Sequence, residues 1–156
     1  MANDTYDFLD GKGLVKAHKH SNGGGWVSDT AFVSDKAFVG PNALVYGDAY
    51  VYGDAYVSGN AYVYGNALVY GDAHVYGTAR VYGNARVYET ARVSGNAYVY
   101  GNAHVYDNAH VYGDALVYGT AKITININSG EHIGEIIEKI ITTPIILSNK
   151  FAIWKF

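Results

Sequence analysis

Three arginines recur at an interval of six, Arg80, Arg86 and Arg92, and three histidines keep the same phase at His74, His104 and His110. A guanidinium offers a planar fork that fits phosphate or carboxylate and needs no bond chemistry of its own. Tyr64, Tyr82, Tyr88 and Tyr98 lie close by in the chain, and an aromatic ring is a platform on which a base stacks. The chemistry these residues suggest is binding of a small anionic, nucleotide-like ligand. Solvated arginines at a drifting outward position are the plainer account of the same residues. Catalysis has less to stand on. No Ser-His-Asp or paired-carboxylate constellation assembles from the sequence, so no catalytic residue is assigned. His18 and His20 stand two apart, as two metal ligands on one strand face would, but a third is lacking nearby. With no cysteine, and with Asp48 and Asp54 in a column that mixes them with many Asn and Thr, neither a metal nor a cofactor is expected.

What positions these side chains is a repeat. Between residues 25 and 126 the unit Ala-x-Val-Tyr-Gly-Asn/Asp recurs without insertion or deletion, giving seventeen consecutive hexads in 156 residues. Alanine falls at every sixth residue from Ala31 to Ala121, and an aliphatic column runs from Val27 to Val117 and on to Ile123. Two residues apart in an extended segment, Ala and Val share one face, while x and Tyr point the other way. Gly and Asn/Asp tolerate positive φ and break the strand. Each hexad therefore reads as a four-residue strand and a corner. An inward face of Ala and Val alone is too thin for a sandwich core. It suits a narrow coil whose rungs bury their apolar faces only against one another.

In this pattern residues 25–126 resemble the hexapeptide-repeat proteins. The resemblance implies an all-β fold, a single-stranded left-handed parallel β-helix of triangular section with three hexads per turn, and hence about five and two-thirds coils. At about 4.8 Å per rung such a prism is roughly 27 Å long. Here Tyr or Ser follows the aliphatic residue and Gly comes one later. That phase is closer to the short A-x-V-Y-G-N arrays of phage and prophage proteins than to the family's acyltransferases. Three hexads per coil would set Arg80, Arg86 and Arg92 around one rung, one per face. His74 and His110 would share a face two rungs, about 10 Å, apart. Tyr46, Tyr64, Tyr82, Tyr100 and Tyr118 would stack on one face, and Tyr52, Tyr70, Tyr88 and Tyr106 on a second. The third reads Gly40, Ser58, Tyr76, Ser94, Tyr112, whose small residues would leave slots between rings for a partner subunit or a flat ligand.

Two flanking segments complete a single domain. Residues 1–24 read as an N-terminal cap carrying a short strand from Leu14 to His20, since a bare coil end exposes strand edges. Trp26, Phe32, Phe38 and Leu44 at the outward position call for a cover, either that cap or another subunit. In residues 127–156, Ser129-Gly130-Glu131 resembles a helix start, and Ile133, Ile136, Ile137, Ile140 and Ile141 make its apolar stripe. Beyond Pro144 a short hairpin through Phe151 and Trp154 would cap the coil or join subunits.

A net charge of −3 gives no reason to expect a nucleic-acid polymer or an acidic membrane surface. Zero Cys and the want of a basic-then-apolar leader point to the cytoplasm. The expectation is a non-enzymatic binding protein of phage or prophage type, a homotrimer as enzymes of the resembled family typically are. It would hold a small anionic ligand or a host protein on its Tyr/Arg-rich faces, and sequestering a host signal in this way would counter host defence. A hexapeptide-repeat acyltransferase is the runner-up, and a structural assembly protein comes third.

Overall fold

The computed structural model describes residues 4–133 and 136–137. Within them the hexads wind into an all-β parallel solenoid of about six turns. Each strand pairs in parallel with the one eighteen residues on: Leu68 faces Arg86, His74 faces Arg92, and Arg80 faces Tyr98. Every third hexad therefore stacks, and three sheets result. Face one carries Trp26, Leu44, Tyr62, Arg80, Tyr98 and Leu116 at the outward position, face two Phe32, Tyr50, Leu68, Arg86, His104 and Lys122, and face three Phe38, Tyr56, His74, Arg92 and His110.

The core is the Ala and Val columns. From Ala37 to Ala121 and from Val39 to Val117 these side chains are wholly buried, as is Ile123. The regular strands are shorter than four residues, most covering only x and Val. Corners take the rest of each hexad, yet they stay in the ladder. Arg80 N–H donates to the Ala97 carbonyl at 2.9 Å, Tyr82 N–H to Val99 at 3.0 Å, and the corner Asn84 N–H to Gly101 at 2.8 Å. Corner glycines are held at positive φ, as at Gly83 (φ 68°), where a Cβ would meet the amide of Gly101 at 3.0 Å. Stacked corners leave no room for a side chain on that side.

The N-terminal segment forms three antiparallel strands, β1 (Thr5–Asp7), β2 (Leu14–Lys19) and β3 (Trp26–Ser28), the last being the first rung of face one. Phe8 and Ala17 (3 % exposed each) close a second, smaller core with Leu44 and Tyr46, against which Tyr6, Val15, Trp26, Tyr62 and Tyr64 pack. The cap thus lies along face one as well as over the coil end. Over face three, Gly25 N–H donates to the Val39 carbonyl at 2.9 Å and His20 Nε2 to that of Ala37 at 3.0 Å. His18 instead meets Asp29 at 3.2 Å, so the two histidines serve different partners and do not converge. Face two begins uncovered, with Phe32 50 % exposed.

At the other end the described residues of the expected helix are strand, and Ile140 and Ile141 lie outside them. Glu131–Ile133 and Ile136–Ile137 are strands that extend faces one and two, and Ile127 bridges to Val111 on face three. Val111 pairs with Ile127, Val117 with His132 and Ile123 with Ile137, so the pairing offset falls from 18 to 16, 15 and 14. The coil outlasts the hexad by cutting its corners shorter. β-branched isoleucines suit the ladder, and edges already formed by Leu116–Tyr118 and Lys122–Ile123 reward pairing where an isolated helix has no neighbour. The hairpin expected beyond Pro144 lies outside the described residues.

Candidate functional site

Around the solenoid the three arginines do occupy three different faces, one each on Arg80–Val81, Arg86–Val87 and Arg92–Val93. A single chain therefore does not bring them together. What face one assembles around Arg80 is more specific. Its guanidinium carbon lies 5.3 Å from the centroid of Tyr62 and 5.4 Å from that of Tyr98, the rungs before and after. Beside it runs the ring ladder Tyr46–Tyr64–Tyr82–Tyr100–Tyr118, with centroids 4.8–4.9 Å apart and ring planes within 3° of parallel. Tyr64, Tyr82 and Tyr98 therefore do join Arg80.

The turn after β1 completes a hollow of about 210 Å³ lined by Phe8, Leu9, Tyr46, Tyr62, Tyr64 and Arg80. Phe8 stacks on Tyr46 at 4.9 Å and separates this hollow from a second, of about 270 Å³, bordered by Asp10, Lys12, Lys16 and Asp29. Burial raises the phenol pKa values of Tyr46, Tyr64 and Tyr82, so these hydroxyls keep their protons as donors. Among the described residues the ion pairs are Lys12–Asp10 and His18–Asp29, and neither involves an arginine. Phe8, Leu9 and Tyr62 were not among the candidate site residues, and Tyr46 was expected only as part of the ladder. The signal for them was the turn chemistry of Asp10, Gly11 and Gly13, which marks the bend that lays Phe8 back onto the ladder.

Face two holds Tyr88 in its own ladder with Tyr52, Tyr70 and Tyr106, again at 4.9–5.1 Å. His104 meets the edge of Tyr88 at 6.1 Å. Its pKa is lowered first by burial and then by Arg86 and Lys122, its neighbours up and down the sheet.

On face three His74 stacks over Tyr56 at 5.4 Å. The slot expected at Ser94 is filled from within the chain. His110 Nε2 lies 2.7 Å from Ser94 Oγ and 3.3 Å from Tyr76 Oη; unprotonated, its single lone pair takes the shorter bond from Ser94. Its ring centroid lies 4.7 Å from that of Tyr112. An imidazole bridges where a smaller residue broke the ladder, so no flat ligand is needed there. A hydroxyl on an imidazole nitrogen is half of a nucleophile–base pair. For the other half, Ser94 is 5 % exposed, and its N–H and that of Asn96 are already given to the carbonyls of Val111 and Gly113. Neither of those two N–H groups is free to receive an oxyanion.

Corner amides satisfy one another from rung to rung, as in Asn66 to Asn84 at 3.3 Å and Asn84 to Asn102 at 3.1 Å. Among the described residues no group of three or more His, Asp or Glu is placed to hold a metal ion.

Fold and repeat together define a β-solenoid repeat protein. Residues 61–77, 79–89 and 91–107, the rungs that carry the arginines, match the family model described as the YdcK beta solenoid repeat. Over that stretch the chain is similar to the family. Neither a curated protein nor a solved structure matches it. Among the described residues no helix is long and apolar enough to cross a membrane.

Proposed function

We propose that this solenoid is a non-enzymatic binding protein. It holds a small ligand that joins an anionic group to a flat ring, nucleotide-like in chemistry, in the hollow beside Arg80. One observation carries the reading: the Arg80 guanidinium sits between two tyrosine rings, and no carboxylate of the described residues is in salt-bridge reach. Cation–π contact contributes about 0.5–1 kcal/mol and orients the guanidinium while leaving its donors for a ligand. Tyr64 and Tyr46 then offer ring surface and hydroxyl donors beside the fork. Such a site sequesters its ligand and returns it unchanged. The phase of the repeat resembles that of phage and prophage arrays, and on that resemblance the role is cytoplasmic and counters a host signal. In the same reading the chain assembles as a trimer through the faces that the N-terminal hairpin of β1 and β2 leaves bare, where Phe32, Tyr50 and Tyr56 are exposed.

Calorimetric titration of the full chain with adenosine diphosphate, adenosine and inorganic phosphate tests this. Affinity for the diphosphate should exceed that for either fragment. Arg80→Gln should weaken it by about tenfold or more, as loss of a charge-assisted bidentate contact does, with the circular dichroism unchanged. Equal affinity in the variant, or no binding by the parent chain, overturns the proposal.

A further inference from the structure

Face two carries a second feature that the Arg80 hollow does not use. Its outward column turns from Phe32, Tyr50 and Leu68 to Arg86, His104 and Lys122, three basic side chains on successive rungs. Arg86 is in direct register with His104, and His104 with Lys122. Like charges directly opposite in neighbouring strands are destabilising, and a rung spacing of about 4.8 Å gives them little relief. Natural neutralisation would be an acid on the next column, and the candidates are Glu89 and Asp107 at the adjoining corner. Glu89 instead turns its carboxylate back onto the N–H of Asp107 at 2.8 Å. Neither acid reaches a cation of the described residues within salt-bridge distance. The opposite flank is neutral, lined by Asn84, Asn102 and Thr120. His104, in register between Arg86 and Lys122, favours the uncharged form, first because it is part-buried and then because of those two cations.

We propose that Arg86, His104 and Lys122 form a site for a short condensed-phosphate group, a diphosphate or triphosphate laid along the solenoid axis. Arg86 supplies the planar fork, Lys122 a point charge two rungs, about 10 Å, away, and His104 a middle donor that takes up a proton as the anion arrives. A single phosphate reaches only one end of such a ladder, and a chain of them spans more of it. The Tyr88 ring borders the column, meeting that of His104 at a steep angle with centroids 6.1 Å apart.

The groups facing His104 are Arg86, Lys122 and the Tyr88 edge, so its imidazole is a built-in reporter. NMR titration of His104 in the full chain, with and without inorganic pyrophosphate at matched ionic strength, reads the site directly. Pyrophosphate should raise the His104 pKa, and sodium chloride should not. In an Arg86→Gln/Lys122→Gln double variant the pyrophosphate affinity should fall by about tenfold or more, while the far-ultraviolet circular dichroism stays unchanged. Inorganic triphosphate and adenosine triphosphate titrated in parallel separate a free phosphate chain from one carried on a nucleoside, and a response to either supports the site. A His104 pKa that moves equally with chloride, or a response that survives the double variant, overturns it. Arg80→Gln should leave the response intact, so failure of the Arg80 hollow and failure of this ladder are distinguishable.

Discussion

Glu89 and Asp107 occupy a corner column that Gly53 and Gly71 fill in the rungs before them, and both acids take the same left-handed φ, 59° and 56°. A non-glycine residue held there costs on the order of 1–3 kcal/mol. Glu89 recovers part of this through its bond to the Asp107 N–H, whereas Asp107→Gly should stabilise the fold by about 0.5–1 kcal/mol. Gly83→Ala should act oppositely and cost about 1–3 kcal/mol, because its Cβ would press on the Gly101 amide. Urea midpoints at unchanged slope check both. A pH effect belongs to the same scale. Burial, chiefly, lowers the pKa of His104 and of His110, so the unfolded chain binds protons more readily than the folded one. Their contribution to stability is fully present above the ordinary histidine value of about 6.5 and is lost as pH falls through it towards the lower folded values. Urea midpoints measured from pH 8 to 5 should decline in the parent and decline less in His110→Gln.

At the scale of the element, a two-residue strand is too short to hold itself. What holds it is repetition above and below. The tyrosine ladders supply part of this, and Tyr82→Ser should break the stack between Tyr64 and Tyr100 without unfolding the coil, since Ser58 and Ser94 stand in the equivalent column on face three. The expected cost is about 0.5–1.5 kcal/mol beyond the lost burial, read as a lower thermal midpoint. The misread helix belongs here too. Ile133, Ile136 and Ile137 have helical spacing, but the open strand edges of Leu116–Tyr118 and Lys122–Ile123 were waiting beside them. Tertiary pairing overrode a periodicity that was real but local.

For the whole molecule, the hairpin divides the three faces unequally. Face one is roofed near its start by Phe8 and Leu9, whereas Phe32 and Tyr50 on face two and Tyr56 on face three remain open to solvent. Apolar outward residues gather near the N-terminal end and basic ones towards the middle, so association through the early rungs would leave Arg86, His104 and Lys122 accessible. Native mass spectrometry of gently purified protein should show a trimer, and Phe32→Ser/Tyr50→Ser should shift it towards monomer. A monomeric parent chain would remove the shared-interface reading and leave the Arg80 hollow, which one chain builds alone, as the place to look for a ligand.

The six-residue period by itself determined the inward Ala and Val columns, the corner positions and the outward phase of the three arginines and of His74, His104 and His110. Each follows from the two-residue alternation of a strand and the φ tolerance of Gly. With three hexads per turn supplied by resemblance, it also placed the two complete tyrosine ladders and the separation of the arginines onto three faces. Only the tertiary structure decided which face the N-terminal hairpin covers, that His110 fills the slot at Ser94, and that the coil continues past residue 126 with shorter corners. Those outcomes rest on contacts between segments of different pattern, where no period links one residue to the other. Phe8 meets Tyr46 because a turn folds it back, and Ile127 meets Val111 because the preceding rung offers an unpaired edge.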